Sequence, residues 1–132
     1  EYGYTVNEDN YSDIWTLESR SLEYFNELRS WYDSGQKRIP DTLELSPVLL
    51  KLWYVCDGSY VTEGEYVVIY SSDQSDRKDD VLELFNKMGL SPSYHNGGGG
   101  VIQFTKSESD DFFEYIGDPV PGFEYKWPEN YK

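Results

Sequence analysis

From Ser46 to Asp57 the chain reads Ser-Pro-Val-Leu-Leu-Lys-Leu-Trp-Tyr-Val-Cys-Asp, and Leu49, Leu50, Leu52, Trp53, Val55 and Cys56 cover most of a helical circumference. This predicts a helix over Pro47 to Asp57, buried on more than one side, with Ser46 as N-cap, Pro47 at the first helical position and Gly58 as the stop. Period-two alternation then predicts strands over Ser59 to Thr62 and Tyr66 to Ser72, flanking the short loop Glu63-Gly64-Glu65. Val81, Leu84, Phe85 and Met88 recur at helical spacing and predict a helix over Asp76 to Met88, stopped by Gly89. Two further strands, Ser91 to His95 and Val101 to Lys106, enclose Asn96 and four glycines. That glycine run reads as a hairpin tip rather than a phosphate cradle, because no helix N-terminus follows it. Ser109 to Ile116 closes the pattern with Phe112, Phe113 and Ile116 on one helical face. The predicted fold class is α+β, an antiparallel sheet with helices on one face.

The alternation also assigns faces. Ser59, Val61 and Glu63, then Tyr66, Val68, Tyr70 and Ser72, then Val101, Gln103 and Thr105 fall on the side away from the helices, with Val67, Ile69, Ile102 and Phe104 on the helix side. The outward set is polar and aromatic and almost uncharged. An ordinary half-wet antiparallel sheet shows the same alternation.

A weak internal repeat runs beneath this order. Tyr24, Leu28, Arg38 and Pro40 precede Phe112, Ile116, Lys126 and Pro128 by 88 residues, and Ile14 to Leu17 precede Val101 to Phe104 by 87. The shared order of strand, helix and basic tail suggests duplication. It divides the chain into 1–44, the C-terminal part of an incomplete first unit, and 45–132, a complete one.

At 132 residues, 38% of them hydrophobic and 17% aromatic, the chain has material for one real core and is not an acidic disordered tail. It shows neither a membrane-spanning apolar run nor the layout of a signal peptide, so a soluble, cytoplasmic protein is expected. Its one cysteine, Cys56, excludes an internal disulfide and reads as a small buried helix residue. Charge complicates the picture, because 25 acidic against 11 basic residues give a net −14, whereas nucleic-acid binders are normally basic. Two explanations fit. The protein works in concentrated salt, where acidic surfaces keep proteins in solution and phosphate attraction is weak in any case, or it is an acidic interaction module that binds no DNA.

Asp57 is the chemical anomaly of the pattern. An acid in the last turn of a helix faces carbonyl dipoles of the same sign, at a cost of a few tenths of a kcal/mol or more that a divalent cation would reverse. The run Trp53-Tyr54-Val55-Cys56-Asp57-Gly58-Ser59 resembles the divergent form of the LAGLIDADG motif of homing endonucleases, and Phe123-Glu124-Tyr125-Lys126-Trp127 resembles the aromatic-Tyr-Lys tail that ends the unit in that family. The resemblance implies an α-β-β-α-β-β-α unit. It also implies a site-specific, metal-dependent DNA endonuclease in which two such helices pack side by side, each ending in a metal-holding acid. On that reading Asp57 holds Mg2+ or another divalent cation, and Lys126, with Arg38 as its counterpart in the partial unit and Arg77 at the entrance to the next helix, supports the phosphate. Double-stranded DNA would lie on the outward sheet face.

A single acid is half of such a site, so the second helix must come from a homodimer partner or from an N-terminal half. The alternatives are a cleavage-dead DNA-binding or RNA-splicing protein of the same fold, and the acidic interaction module. No Ser-His-Asp set, phosphate loop or nucleotide fingerprint competes with these.

Overall fold

The computed structural model describes residues 4–8, 15–19, 23, 25–37, 39–40, 42–71, 76–97 and 99–131. The chain divides into two compact units, 1–35 and 36–132. In the first, strands β1 (Tyr4–Glu8) and β2 (Trp15–Ser19) pair antiparallel, from Tyr4 opposite Ser19 to Glu8 opposite Trp15, and the short helix α1 (Phe25–Arg29) and strand β3 (Tyr32–Asp33) follow. β1 has no counterpart in the sequence pattern, because five residues with two apolar side chains give too short a run to register. Ser34 and Gly35 close this unit with positive φ, 51° and 82°.

The second unit opens with the two-residue strand β4 (Gln36–Lys37) and is then built as α2 (Pro47–Asp57), β5 (Gly58–Val61), β6 (Tyr66–Tyr70), α3 (Lys78–Asn86), β7 (Ser93–His95), β8 (Val101–Gln103) and α4 (Lys106–Ile116), followed by two 3₁₀ turns at Glu124–Lys126 and Glu129–Tyr131. Strands β5 to β8 form one antiparallel sheet in the order β5-β6-β8-β7. The helices pack on one of its faces, so the α+β class and the α-β-β-α-β-β-α order hold.

The core lies between these layers and is largely aromatic. Tyr54 meets Phe112, Phe113 and Trp127 edge to face, with centroids 5.3, 5.7 and 5.3 Å away, and Phe104 bridges Phe85 and Phe112. Val67, Ile69 and Ile102 complete it from the sheet side. Edge-to-face pairs set positive ring edges against negative ring faces and add about 0.5–1.5 kcal/mol each beyond area burial. Ser109 docks α4 on the sheet: its Oγ donates to Thr105 O at 2.8 Å and accepts from Val67 N at 2.8 Å.

Several boundaries differ from the pattern, β5 spanning Gly58–Val61 and β7 starting at Ser93 among them. α4 starts at Lys106 rather than Ser109, because Thr105 and Glu108 form a reciprocal capping box. β8 therefore ends at Gln103, and Thr105, expected on the outward sheet face, is a helix N-cap whose hydroxyl is bound to Glu108. β6 ends at Tyr70, and Ser72 lies outside the described residues. α3 is shorter at both ends, spanning Lys78–Asn86.

Candidate active site at the end of α2

α2 forms where its sequence places it. Ser46 Oγ accepts from Leu49 N at 3.2 Å, and Pro47 begins the helix. Its burial is more one-sided than the apolar pattern suggests. Leu50 and Tyr54 are fully buried against the sheet and α4, whereas Val48 and Leu52 are 69% and 54% exposed. Cys56, read from sequence as buried, is exposed on that same outer side, since positions 48, 52 and 56 share one helical stripe.

The C-terminal end is unusual. Gly58 is not a left-handed stop: it has extended geometry, φ −95° and ψ 161°, and the helix passes directly into β5. A Cβ at this position would lie 2.1 Å from Tyr54 Cδ2 and 2.6 Å from Tyr54 O, so the glycine is required by the close approach of the chain to the Tyr54 ring. Asp57, immediately before it, is exposed.

Two carbonyls of this helix end are satisfied by a residue some seventy positions away. Lys126 Nζ donates to Val55 O at 2.7 Å and to Gly58 O at 2.8 Å. In return the Tyr54 hydroxyl donates to the main-chain carbonyl of Lys126. Trp127, buried beside it, donates Nε1–H to Gly117 O at 3.1 Å and fixes the tail. The lysine ammonium thus offsets the negative helix end and sits within one turn of Asp57, although nothing local in the sequence announces the pairing. Burial pushes the Tyr54 hydroxyl well above the ordinary tyrosine range, with the nearby Tyr60 adding to the shift, so Tyr54 is a neutral donor here.

The other expected basic residues are placed differently. Arg77 precedes α3, where its Nε donates to Asp80 Oδ2 at 2.8 Å and its NH1 to Ile39 O at 2.9 Å, contacts that anchor the 39–40 segment. Arg38 lies outside the described residues. Among the described residues no three His, Cys, Asp or Glu side chains converge into a cation site. Asp57 alone fits one-carboxylate ligation of a hard cation, of the kind magnesium accepts when phosphate and water supply the remaining oxygens.

The sheet face away from the helices carries three cross-strand rows. Val61 pairs with Tyr66; Ser59, Val68, Gln103 and Ser93 form a second row; Tyr70, Val101 and His95 form the third, nearest the strand end that begins at Gly58. Of the described outward residues none is an acid or a lysine or arginine. To the outward side chains expected on β5, β6 and β8, the edge strand β7 adds Ser93 and His95; its three residues are too short a run for alternation to assign a face. Val68 is the one outward residue that is itself buried, 7% exposed between its neighbours. The acids are concentrated instead on the helices: α3 carries Asp79, Asp80 and Glu83, and α4 carries Glu108, Asp110, Asp111 and Glu114.

Residues 2–112 match the model of the LAGLIDADG DNA endonuclease family. The chain belongs to that family. Its fold matches that of the homing endonuclease I-WcaI bound to its DNA recognition sequence, with a TM-score of 0.70 at 16% identity, covering 96% of this chain and 63% of that one. A 49-residue stretch is 41% identical to the uncharacterized protein MJ1098 of Methanocaldococcus jannaschii, covering 36% of this chain and 19% of that protein. This LAGLIDADG chain therefore spans less than two thirds of the length of either. No helix among its described residues is long and apolar enough to cross a membrane.

Proposed function

We propose that this protein is half of a site-specific, divalent-metal-dependent DNA endonuclease of the homing type. The observation that carries the reading is the end of α2, where an exposed Asp57 adjoins a lysine ammonium held on Val55 O and Gly58 O. Phosphodiester hydrolysis calls for a hard cation at the scissile phosphate and positive charge to meet the developing pentacoordinate phosphorus. Asp57 would hold Mg2+, which when bound polarises the phosphate and activates water. Lys126 would supply fixed positive charge, its position set by two carbonyls and by the Tyr54 hydroxyl. Arg38 and Arg77 are assigned supporting roles toward the phosphate; Arg77 would have to exchange its contacts with Asp80 and Ile39 O to reach it.

The exposed stripe Val48, Leu52 and Cys56 supports a second helix of the same kind packed against α2, from a homodimer partner or from an N-terminal half that completes the first repeat. The division into an incomplete repeat over 1–44 and a complete one over 45–132 accords with the shared order β1-β2-α1 and β7-β8-α4. Duplex DNA would lie on the outward face, read by Ser59, Val61, Tyr66, Val68, Tyr70 and Gln103, and by Ser72 as the sequence alternation assigns it; Thr105 takes no part, since its hydroxyl serves the α4 cap. The −14 net charge suits a cytoplasm of high salt.

A second reading, a cleavage-dead DNA-binding or RNA-splicing protein of this fold, is favoured by one observation: among the described residues no three His, Cys, Asp or Glu side chains gather into a cation site. Selection of a bound site from a randomised duplex library at low and at molar salt, followed by incubation with Mg2+, decides between them. Cleavage that Asp57→Asn abolishes while binding persists supports the endonuclease. Binding without cleavage by the intact protein supports the second reading, and absence of binding at both salts leaves the acidic interaction module.

A further inference from the structure

We propose that Tyr54 is a positioning residue for DNA cleavage. Through the main chain of Lys126 its hydroxyl fixes the lysine ammonium so that one hydrogen is left for a phosphate oxygen at the end of α2. The inference rests on the endonuclease reading above and adds to it the residue that sets the lysine's reach.

The aromatic core shows that the hydroxyl is not there for packing. Among the described residues its fully buried rings are Phe85, Phe104, Phe112, Phe113, Tyr54 and Trp127, and only the last two carry a polar group. A buried hydroxyl or indole N–H costs free energy unless it is hydrogen-bonded, and a phenylalanine in place of Tyr54 would keep the edge-to-face contacts with Phe112, Phe113 and Trp127. Both polar groups are spent on one stretch of main chain. Trp127 Nε1 donates to Gly117 O at 3.1 Å, closing the segment 117–127 on itself, and the Tyr54 hydroxyl fastens Lys126 O, near its far end, to α2. Lys51, one turn before Tyr54 on α2, adds a tie from its Nζ to Asp118 O at 2.8 Å.

The consequence falls on the ammonium. It has three hydrogens and no acceptor, and Val55 O at 2.7 Å and Gly58 O at 2.8 Å take two of them. Those carbonyls flank Asp57 in the chain, so the third hydrogen is the one available to a phosphate oxygen there. A lysine stem is flexible, and two carbonyls can hold its end only while its main chain stays where Tyr54 puts it. Charge placed in advance of the transition state loses its value when displaced, and an error of about 1 Å can cost about 100-fold in rate.

Two measurements on the full chain test this with Tyr54→Phe and, as a control, Val81→Ala in the buried side of α3, at a temperature where both are folded. In proton–nitrogen correlation spectra of lysine-labelled protein, the Lys126 ammonium, identified by its absence in Lys126→Met, should be protected from solvent exchange. Tyr54→Phe should lose that protection and Val81→Ala should keep it. On a duplex selected from the randomised library, with Mg2+, Tyr54→Phe should lower kcat about 10- to 100-fold with KM unchanged, whereas Val81→Ala should leave both unchanged. A Tyr54→Phe protein that keeps the protected resonance and cuts at the wild-type kcat overturns the inference while the endonuclease reading stands, and so does an equal loss of kcat in Val81→Ala. A duplex that the wild type binds but does not cut removes that reading and the inference together.

Discussion

α2 and α4 are both eleven residues long, pack on the same sheet and touch each other, yet they are finished in opposite ways. α4 is complete within its own sequence. Its N-terminus is closed by the Thr105–Glu108 box, its buried side is Phe112, Phe113 and Ile116, and its outer side is a run of carboxylates. α2 has an ordinary N-cap, but its outer side is apolar and its C-terminus needs a lysine from the far end of the chain. A helix that is only scaffold can be satisfied locally. One that leaves apolar side chains in water and an acid at its negative end is shaped by something beyond its own stability.

The comparison can be broken most sharply at Gly58. Gly58→Ala forces a Cβ into the Tyr54 ring and its carbonyl, and should cost about 2–3 kcal/mol, read as a lowered urea midpoint with unchanged slope; a loss under about 0.5 kcal/mol would mean that the α2–β5 junction relaxes freely. Next comes Tyr54→Phe, which leaves the Lys126 carbonyl without its buried donor and should cost about 1–2 kcal/mol. The same hydroxyl has a pH signature. Its folded-state pKa is raised above the value of about 10 expected for an unfolded tyrosine, so its contribution is fully present below about pH 10 and is lost as pH rises past that value, because the unfolded chain ionises first. Wild type should thus lose more stability than Tyr54→Phe between about pH 9 and 11 in parallel denaturation series.

At α4, Thr105→Ala should cost about 1 kcal/mol by removing the cap. The Glu108 carboxyl belongs to the same device: burial raises its pKa, but hydrogen bonds from Thr105 and Ser91 outweigh that and hold it below the ordinary range. The smallest effect on the chain alone is expected from Leu52→Gln, within about 0.5 kcal/mol, because the side chain is already in water. If that stripe receives a second helix, the same substitution should nevertheless weaken assembly in analytical ultracentrifugation, which a merely exposed leucine would not do.

Much of this contrast is visible in the residues. Ser46, Pro47 and the apolar run delimit α2 at the residues observed, because caps and periodicity are local signals. The Thr105-x-x-Glu108 signature of α4 is equally local but is masked by the β-like run before it. Non-local physics accounts for the rest. Cys56 looks buried in a spiral of apolar residues, and only the packing of Leu50 and Tyr54 shows which side faces the sheet. Gly58 has the sequence of a helix stop and the geometry of a strand. Lys126 is recognisable by resemblance, but its two carbonyl contacts depend on a tail folded beneath α2, held by Tyr54 and Trp127. The net charge hides a non-local feature too, since the sum over the chain conceals a segregation between an acidic helix layer and described outward strand residues without an acid.

On the proposed function the end of α2, with Asp57 and its held lysine, is the metal site, whereas Asp110, Asp111 and Glu114 of α4 are only surface and Glu108 serves the helix cap. Manganese titration of the isotopically labelled protein bound to its duplex tests this by paramagnetic broadening of backbone amide resonances. Asp57, Gly58 and Lys126 should broaden first, and Asp57→Asn should abolish the effect. Broadening that begins at Asp110, Asp111 and Glu114, and that Asp57→Asn leaves unchanged, would contradict it.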